Sequence, residues 1–226
     1  MNTQSLRPLL AEFLGTALFV FVGAGSVIAN AVTSGAIGAL GIALAHGVGM
    51  AVIISALMNI SGAHLNPAVS FGLLVAGKAD GRTFGRYVAA QLAGAVVGAA
   101  LLKTVFSAPA VHATSAGTPQ LAFNVGFTQA LVLEGVLTFF LVSAVFGTLV
   151  SSEAPKIGGF GVGLSIFVST LVAGSLTGAA LNPARALGPA LISWTWHSQA
   201  VYWLGPLAGG GFAGWVWRAI LLPKTS

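Results

Sequence analysis

Six long apolar runs constrain this chain more than any other feature. They span about Leu9 to Val32, Gly38 to Ile60, Thr83 to Phe106, Asn124 to Val150, Gly158 to Leu176 and Gln199 to Leu222. Crossing a hydrocarbon layer about 30 Å thick takes about 20 helical residues, so each run is long enough to span. Two further apolar stretches, Asn66 to Ala76 and Asn182 to Ser193, reach only about half a bilayer at about 1.5 Å per residue and cannot span. With 56% hydrophobic and only 6% charged residues, the chain is far from a soluble domain, where about a quarter of residues carry charge. It reads as an integral membrane protein. The first apolar run, about Leu9 to Val32, is read as a retained span and not as a cleaved signal segment.

Basic residues orient the spans. An even number of crossings puts both termini on one face, and that face collects Arg7, Lys78, Arg82, Arg86, Lys156, Arg218 and Lys224, seven of the nine basic residues. The positive-inside rule then makes both termini cytoplasmic, with the cell membrane as the expected location. The net charge of +5 is thus a topology signal; a nucleic-acid partner would require a basic face on a soluble fold. The absence of cysteine excludes disulfides and thiol chemistry. His46, His64, His112 and His197 show no metal spacing, and no Ser, His and acid set is placed for catalysis, so no enzyme, metal or cofactor is expected.

The chain also repeats itself. Ser61-Gly62-Ala63-His64-Leu65-Asn66-Pro67-Ala68 returns 116 residues later as Thr177-Gly178-Ala179-Ala180-Leu181-Asn182-Pro183-Ala184, six of eight positions being identical. The same offset carries Gly94 and Gly98 onto Gly210 and Gly214, and Glu12-x-x-x-Thr16 is echoed by Glu134-x-x-x-Thr138. Both halves read as span, span, half-segment, span, over about residues 8–106 and 124–222, joined by a small polar loop at 107–123. Residues 1–226 are expected to form a single channel domain. Three crossings separate the two motifs, an odd number, so the second half is inverted relative to the first. Paired short or Pro-interrupted segments in two halves mark a functional site near the bilayer midplane.

Asn favours the position just before a helix and Pro the first helical position, where its missing N–H costs nothing. Asn66-Pro67-Ala68 and Asn182-Pro183-Ala184 are therefore expected to start two half-helices that enter from opposite faces and meet tip to tip. Each tip carries about half a positive charge and several unpaired N–H groups. Non-helical backbone at this depth must be buried in protein or line water, so the segments before the motifs should border a cavity. There the carboxamides of Asn66 and Asn182 can donate to a neutral molecule while the helix ends raise the cost for a cation.

Two Asn-Pro-Ala motifs, the second continuing into Arg185, together with six spans and the paired Glu-x-x-x-Thr, resemble the major intrinsic protein family of aquaporins and aquaglyceroporins. The resemblance covers nearly the whole chain. It implies an all-α, right-handed bundle of six tilted helices and two half-helices, assembled as a homotetramer with a pore in each subunit.

Helix arithmetic brings three side chains to the outer half. Arg185 lies about 4 to 5 Å beyond Asn182, His46 about 12 Å below the start of its span, and Thr170 about 18 Å along the fifth. In the family four positions form the constriction, and the resemblance assigns them here to His46, Thr170, Ala179 and Arg185. The alternatives are a snorkelling Arg185 and a His46 satisfied by a backbone carbonyl within the bundle. Strict water channels commonly carry Phe at the first position and His at the second; His46 and Thr170 depart from that and resemble plant tonoplast-type filters. Ala186, Ala190 and Tyr202-Trp203 resemble the water-channel subclass instead, since glycerol facilitators typically carry Asp after the Arg. The weighted expectation is passage of water and small uncharged solutes such as glycerol, urea, ammonia, hydrogen peroxide or metalloid hydroxides, with ions and protons excluded. The alternatives are a strictly water-selective channel and a proton-coupled transporter using Glu12 and Glu134. Against the transporter, the resemblance makes these carboxylates structural acceptors for the backbone leading to each half-helix.

Overall fold

The computed structural model describes residues 3–223, with side chains from residue 6 onward. Lys224, counted above among the basic residues of one face, lies outside the described residues. Nine α-helices and three short turns of other helical type account for most of the described chain. They are α1 (Thr3–Val32), α2 (Gly38–Ser61), α3 (Pro67–Val75), α4 (Gly81–Val105), α5 (Ala108–Ala113), α6 (Phe127–Val145), α7 (Phe160–Ala173), α8 (Pro183–Ser193) and α9 (Gln199–Val216). Helices α6 and α9 each run on through a π turn, to Val150 and Leu221.

Four helices cross a bilayer by length and apolarity alone, over Leu6–Val32, Gly38–Ser61, Gly81–Val105 and Phe127–Val150. The other two expected spans differ for local reasons. Helix α7 has 14 residues where the apolar run suggested Gly158 to Leu176. It starts late because Gly158 takes a left-handed φ of 58°, and beyond Ala173 the chain turns so that the Thr177 hydroxyl can reach Glu134. Helix α9 carries Pro206 and five glycines, which lower its hydropathy while letting neighbours approach.

The half-helices interlock the two repeats. Helix α1 packs against α2 and α4, and α6 against α7 and α9, the same arrangement twice, with α2 against α7 as the seam. Helix α3 packs chiefly on α9, and α8 chiefly on α4, so each half-helix is seated on the last long helix of the other repeat. Outward faces are aliphatic at helical spacing, as lipid requires: Leu10, Leu14 and Leu18 on α1, and Leu40, Leu44, Val48 and Val52 on α2 are all exposed.

Close contact corrects one sequence correspondence. The 116-residue offset paired Gly94 and Gly98 with Gly210 and Gly214. In the structure Gly94 meets the Phe13 carbonyl of α1, and its counterpart is Gly209, which meets the Gly135 carbonyl of α6. Gly210 and Gly214 instead face Ala68 and Gly72 of α3. The tyrosines agree with the corrected register: the Tyr87 hydroxyl donates to the Ser61 carbonyl at 2.9 Å, and that of Tyr202 to the Thr177 carbonyl at 2.8 Å. One residue is missing between the second motif and α9, which shifts that helix against the repeat.

Candidate functional site

The segments leading into α3 and α8 are held in a backbone form that side chains resist. Gly62, Ala63 and Leu65 have φ of 81°, 47° and 52°, and Gly178, Ala179 and Leu181 have 80°, 45° and 52°. A left-handed alanine or leucine costs about 1 to 2 kcal/mol, so something must hold each turn. Buried carboxylates do so. Glu12 Oε1 accepts from the Ser61 hydroxyl at 2.7 Å and the His64 main-chain N–H at 3.0 Å, and Oε2 accepts from the Leu65 N–H at 2.7 Å and the Gln91 amide at 2.8 Å. Glu134 repeats this with the Thr177 hydroxyl at 2.6 Å, the Ala180 N–H at 3.0 Å and the Leu181 N–H at 2.7 Å. A carboxylate offers about four lone-pair sites, and around Glu12 all are taken.

Each motif then starts its helix in the expected way. Asn66 caps α3, its side-chain oxygen accepting from the Ala68 N–H at 2.8 Å, with Pro67 in the first turn. Asn182 caps α8, accepting from the Ala184 and Arg185 N–H groups at 3.0 and 3.3 Å, with Pro183 in the first turn. The carboxamide nitrogens cross over: Asn66 donates to the Leu181 carbonyl and Asn182 to the Leu65 carbonyl, both at 2.9 Å. The two half-helices therefore meet at their N-termini. Each amide has two N–H groups and this exchange uses one, leaving one per asparagine beside the cavity that both residues line.

That central cavity is narrow. It offers room for water of about 20 Å³, against about 10 to 15 Å³ for a single water. Its wall is mostly apolar, including Phe19, Ile54, Val69, Val162 and Ile166, with His46 and Ala179 at one end. A vestibule of about 390 Å³ opens on the face opposite the chain ends, lined by His46, Thr170, Arg185, Asn30 and Gln120 among others. His46 borders both spaces at their junction, Thr170 and Arg185 line the vestibule, and Ala179 lines the central cavity.

The Arg185 guanidinium does not snorkel; the residue is 2% exposed. Its Nη1 donates to the Gly117 carbonyl at 2.9 Å, and Nε and Nη2 lie 3.4 Å from His46 Nε2. His46 Nδ1 is 2.9 Å from the Ile42 carbonyl, which takes its proton and leaves Nε2 to accept from the guanidinium. The backbone alternative for His46 is thus met at one nitrogen, while the other serves Arg185. Three of the five guanidinium N–H groups are engaged, leaving donors beside the vestibule. The Thr170 hydroxyl donates to the Ile166 carbonyl at 2.8 Å, so its oxygen can still accept.

Sequence reasoning missed three supports of this site. Gly117, in the small polar loop that joins the halves, takes φ of 72° against Ala24 and offers its carbonyl to Arg185. Gly23 leaves the space the His46 ring occupies; a Cβ there would sit 2.7 Å from His46 Nε2. Gln91 bonds both Glu12 and, at 3.0 Å, the Ser70 hydroxyl, which lies 3.0 Å from His64 Nδ1. A lone Gln in an apolar span was the available signal for the last; the glycines gave none, because their roles depend on helices distant in sequence. His112 and His197 are exposed, away from the junction.

Comparison with known proteins agrees in extent with the fold. The family description "Major intrinsic protein" matches residues 1–217. The chain is similar to "Probable aquaporin TIP-type" of Medicago truncatula, 42% identical over 99% of this chain and 90% of that protein. It is 40% identical to "Aquaporin TIP1-1" of Arabidopsis thaliana, over 98% of this chain and 90% of the relative. Among solved structures, the X-ray structure of the aquaglyceroporin from Plasmodium falciparum superposes with a TM-score of 0.84 at 28% identity, covering 95% of this chain and 96% of that one.

Proposed function

The chain belongs to the major intrinsic protein family, whose members are channels and not enzymes, and from that premise we propose that it conducts water and small uncharged solutes passively while excluding ions and protons. The observation that carries the reading is the crossed pair of asparagines, each with one amide N–H left over beside a cavity with about 20 Å³ of room for water. A neutral molecule gains donors there. A cation meets two helix N-termini and then Arg185, the arrangement by which aquaporin-type pores are understood to reject charge.

His46, Thr170, Ala179 and Arg185 are proposed as the selectivity filter, with Asn66, Pro67, Ala68, Asn182, Pro183 and Ala184 as the pore centre. Thr170 is short and keeps an accepting oxygen, which favours solutes such as urea, glycerol, ammonia, hydrogen peroxide or metalloid hydroxides. A strictly water-selective channel is the second reading, favoured by the small central cavity. A proton-coupled transporter is disfavoured, since Glu12 and Glu134 are both taken up in holding the main-chain N–H groups that lead into the half-helices. The grouping of Lys78, Arg82, Arg86, Lys156 and Arg218 supports cytoplasmic termini. The aliphatic faces of α1 and α2 are available for homotetramer contacts.

Stopped-flow permeability of proteoliposomes to water, urea and glycerol, measured side by side, tests the reading. Flux of all three above that of empty vesicles, with no dependence on a pH gradient, is the expected result. Water flux alone would establish the second reading, and no water flux would overturn both.

A further inference from the structure

The repeat that builds one constriction also builds its mirror image, with different chemistry. Contacts across the seam fix the register between α2 and α7: a Cβ on Gly47 would meet Gly163 and Phe167, and one on Gly163 would meet Gly47 and Ala51. Residues 47 and 51 thus correspond to 163 and 167, the same 116-residue offset that relates the two motifs. Carried through that offset, His46 corresponds to Val162, Thr170 to Ile54, Ala179 to Ala63 and Arg185 to Val69. All four counterparts line the central cavity. All four are buried, at 2%, 2%, 4% and 3% exposure for Val162, Ile54, Ala63 and Val69.

We propose that Ile54, Ala63, Val69 and Val162 form a second, apolar constriction on the other side of the asparagine pair, and that it helps set which solutes pass. This deepens the channel reading and rests on it. At the junction with the vestibule a solute meets the Arg185 donors and the Thr170 oxygen. At the second collar no side chain of the four offers a hydrogen bond. A water molecule can keep its bonds to the waters before and behind it in file. A larger polar solute that fills the cross-section loses side partners and finds none among these four side chains, so the collar acts on solutes more than on water. Aliphatic walls of fixed width also discriminate by size, because packed side chains yield little.

The test uses the full-length protein in liposomes, at equal amounts of protein that elutes as a single folded species. Val162→Ala and Ile54→Ala are expected to raise urea and glycerol permeability several-fold relative to water. Val162→Thr, close to the same volume with an added hydroxyl, is expected to raise urea passage with little change for water. Ile54→Phe is expected to cut water flux several-fold. Unchanged permeability to water, urea and glycerol in the Ala and Thr variants would overturn the proposal, and so would unimpaired water flux in Ile54→Phe. If the wild-type channel passes water only, the broad solute reading fails, yet the Ile54→Phe water measurement still decides the collar. If Ile54→Phe does not fold, the smaller substitutions carry the decision, a strict water channel being expected to admit urea once Val162→Ala opens it.

Discussion

Replacing Glu12 by Gln tests what the buried carboxylates are for, and the structure fixes its size. Glu12 faces four donors, of which the Ser61 hydroxyl can rotate and the Gln91 amide can turn over to present its oxygen. The two main-chain donors cannot move: the His64 N–H points at Oε1 and the Leu65 N–H at Oε2. A glutamine at position 12 places its NH₂ against one of them whichever way it is turned. One charge-assisted bond is lost, worth about 1.5 to 3 kcal/mol, and the stranded N–H faces another donor, so a total near 2 to 4 kcal/mol is expected. Ala63 and Leu65 then lose part of what holds their left-handed backbone. The variant should unfold at a clearly lower temperature, read as the loss of the folded peak in gel filtration after heating in detergent, and should conduct less water per molecule. An unchanged unfolding temperature with unchanged water permeability would refute the structural account. Wild-type flux driven by a pH gradient, lost in Glu12→Gln, would return the transporter.

Arg185→Val removes the buried cation and its hold on Gly117, and should admit a proton or cation leak, measured with a pH-sensitive dye in vesicles; an ion-tight variant would count against its place at the constriction. His46→Ala empties the ring space beside Gly23 and should raise glycerol flux more than water flux in the same stopped-flow assay. Gly209→Ala drives a methyl into the Gly135 carbonyl, overpacking worth about 1 to 3 kcal/mol or more, whereas Gly85→Ala meets nothing within 4 Å and should gain up to about 1 kcal/mol of helix propensity; thermal midpoints compare the two. Asp80 caps α4 outside the membrane, and the Thr83 N–H at 2.7 Å holds its carboxyl below the usual aspartate value. Because the folded state lowers that pKa, the cap's contribution is full above the ordinary aspartate pKa and is lost as pH falls through the lower native value. Asp80→Ala should therefore lower the thermal midpoint at neutral pH and converge with wild type in strong acid.

What the sequence revealed follows from the range of the interactions involved. Asn66-Pro67 and Asn182-Pro183 act on their own next residues, and both caps formed where the residue types placed them. Glu12 and Glu134 were legible through the family resemblance, which made them acceptors for the backbone before each motif, and both carboxylates take N–H groups there. The length of α7 was not legible, since its end is set by Thr177 reaching a carboxylate 43 positions earlier. Gly94 and Gly210 looked equivalent at constant offset, yet the missing residue before α9 moved the correspondence to Gly209, which only contact between helices could reveal. The Gly117 carbonyl was hidden for the same reason, as its partner lies 68 positions away.

The residues that agree between the halves and those that differ do different work. Glu12 with Glu134, Asn66 with Asn182, Tyr87 with Tyr202 and Gly94 with Gly209 make the same contact twice, and each of these contacts fixes backbone. Since α3 sits on α9 and α8 on α4, neither half can close its own half-helix, and such contacts must agree for the halves to interlock. Residues lining the central cavity and the vestibule are free of that demand. There His46 stands opposite Val162, Thr170 opposite Ile54 and Arg185 opposite Val69 through the repeat. A symmetric lumen would need a second buried cation in place of Val69, desolvated among aliphatic side chains with no Gly117 carbonyl to receive it. With the cation on one side alone, Arg185 sits where the vestibule can hydrate it, and the scaffold that crosses the asparagines is the same in both halves.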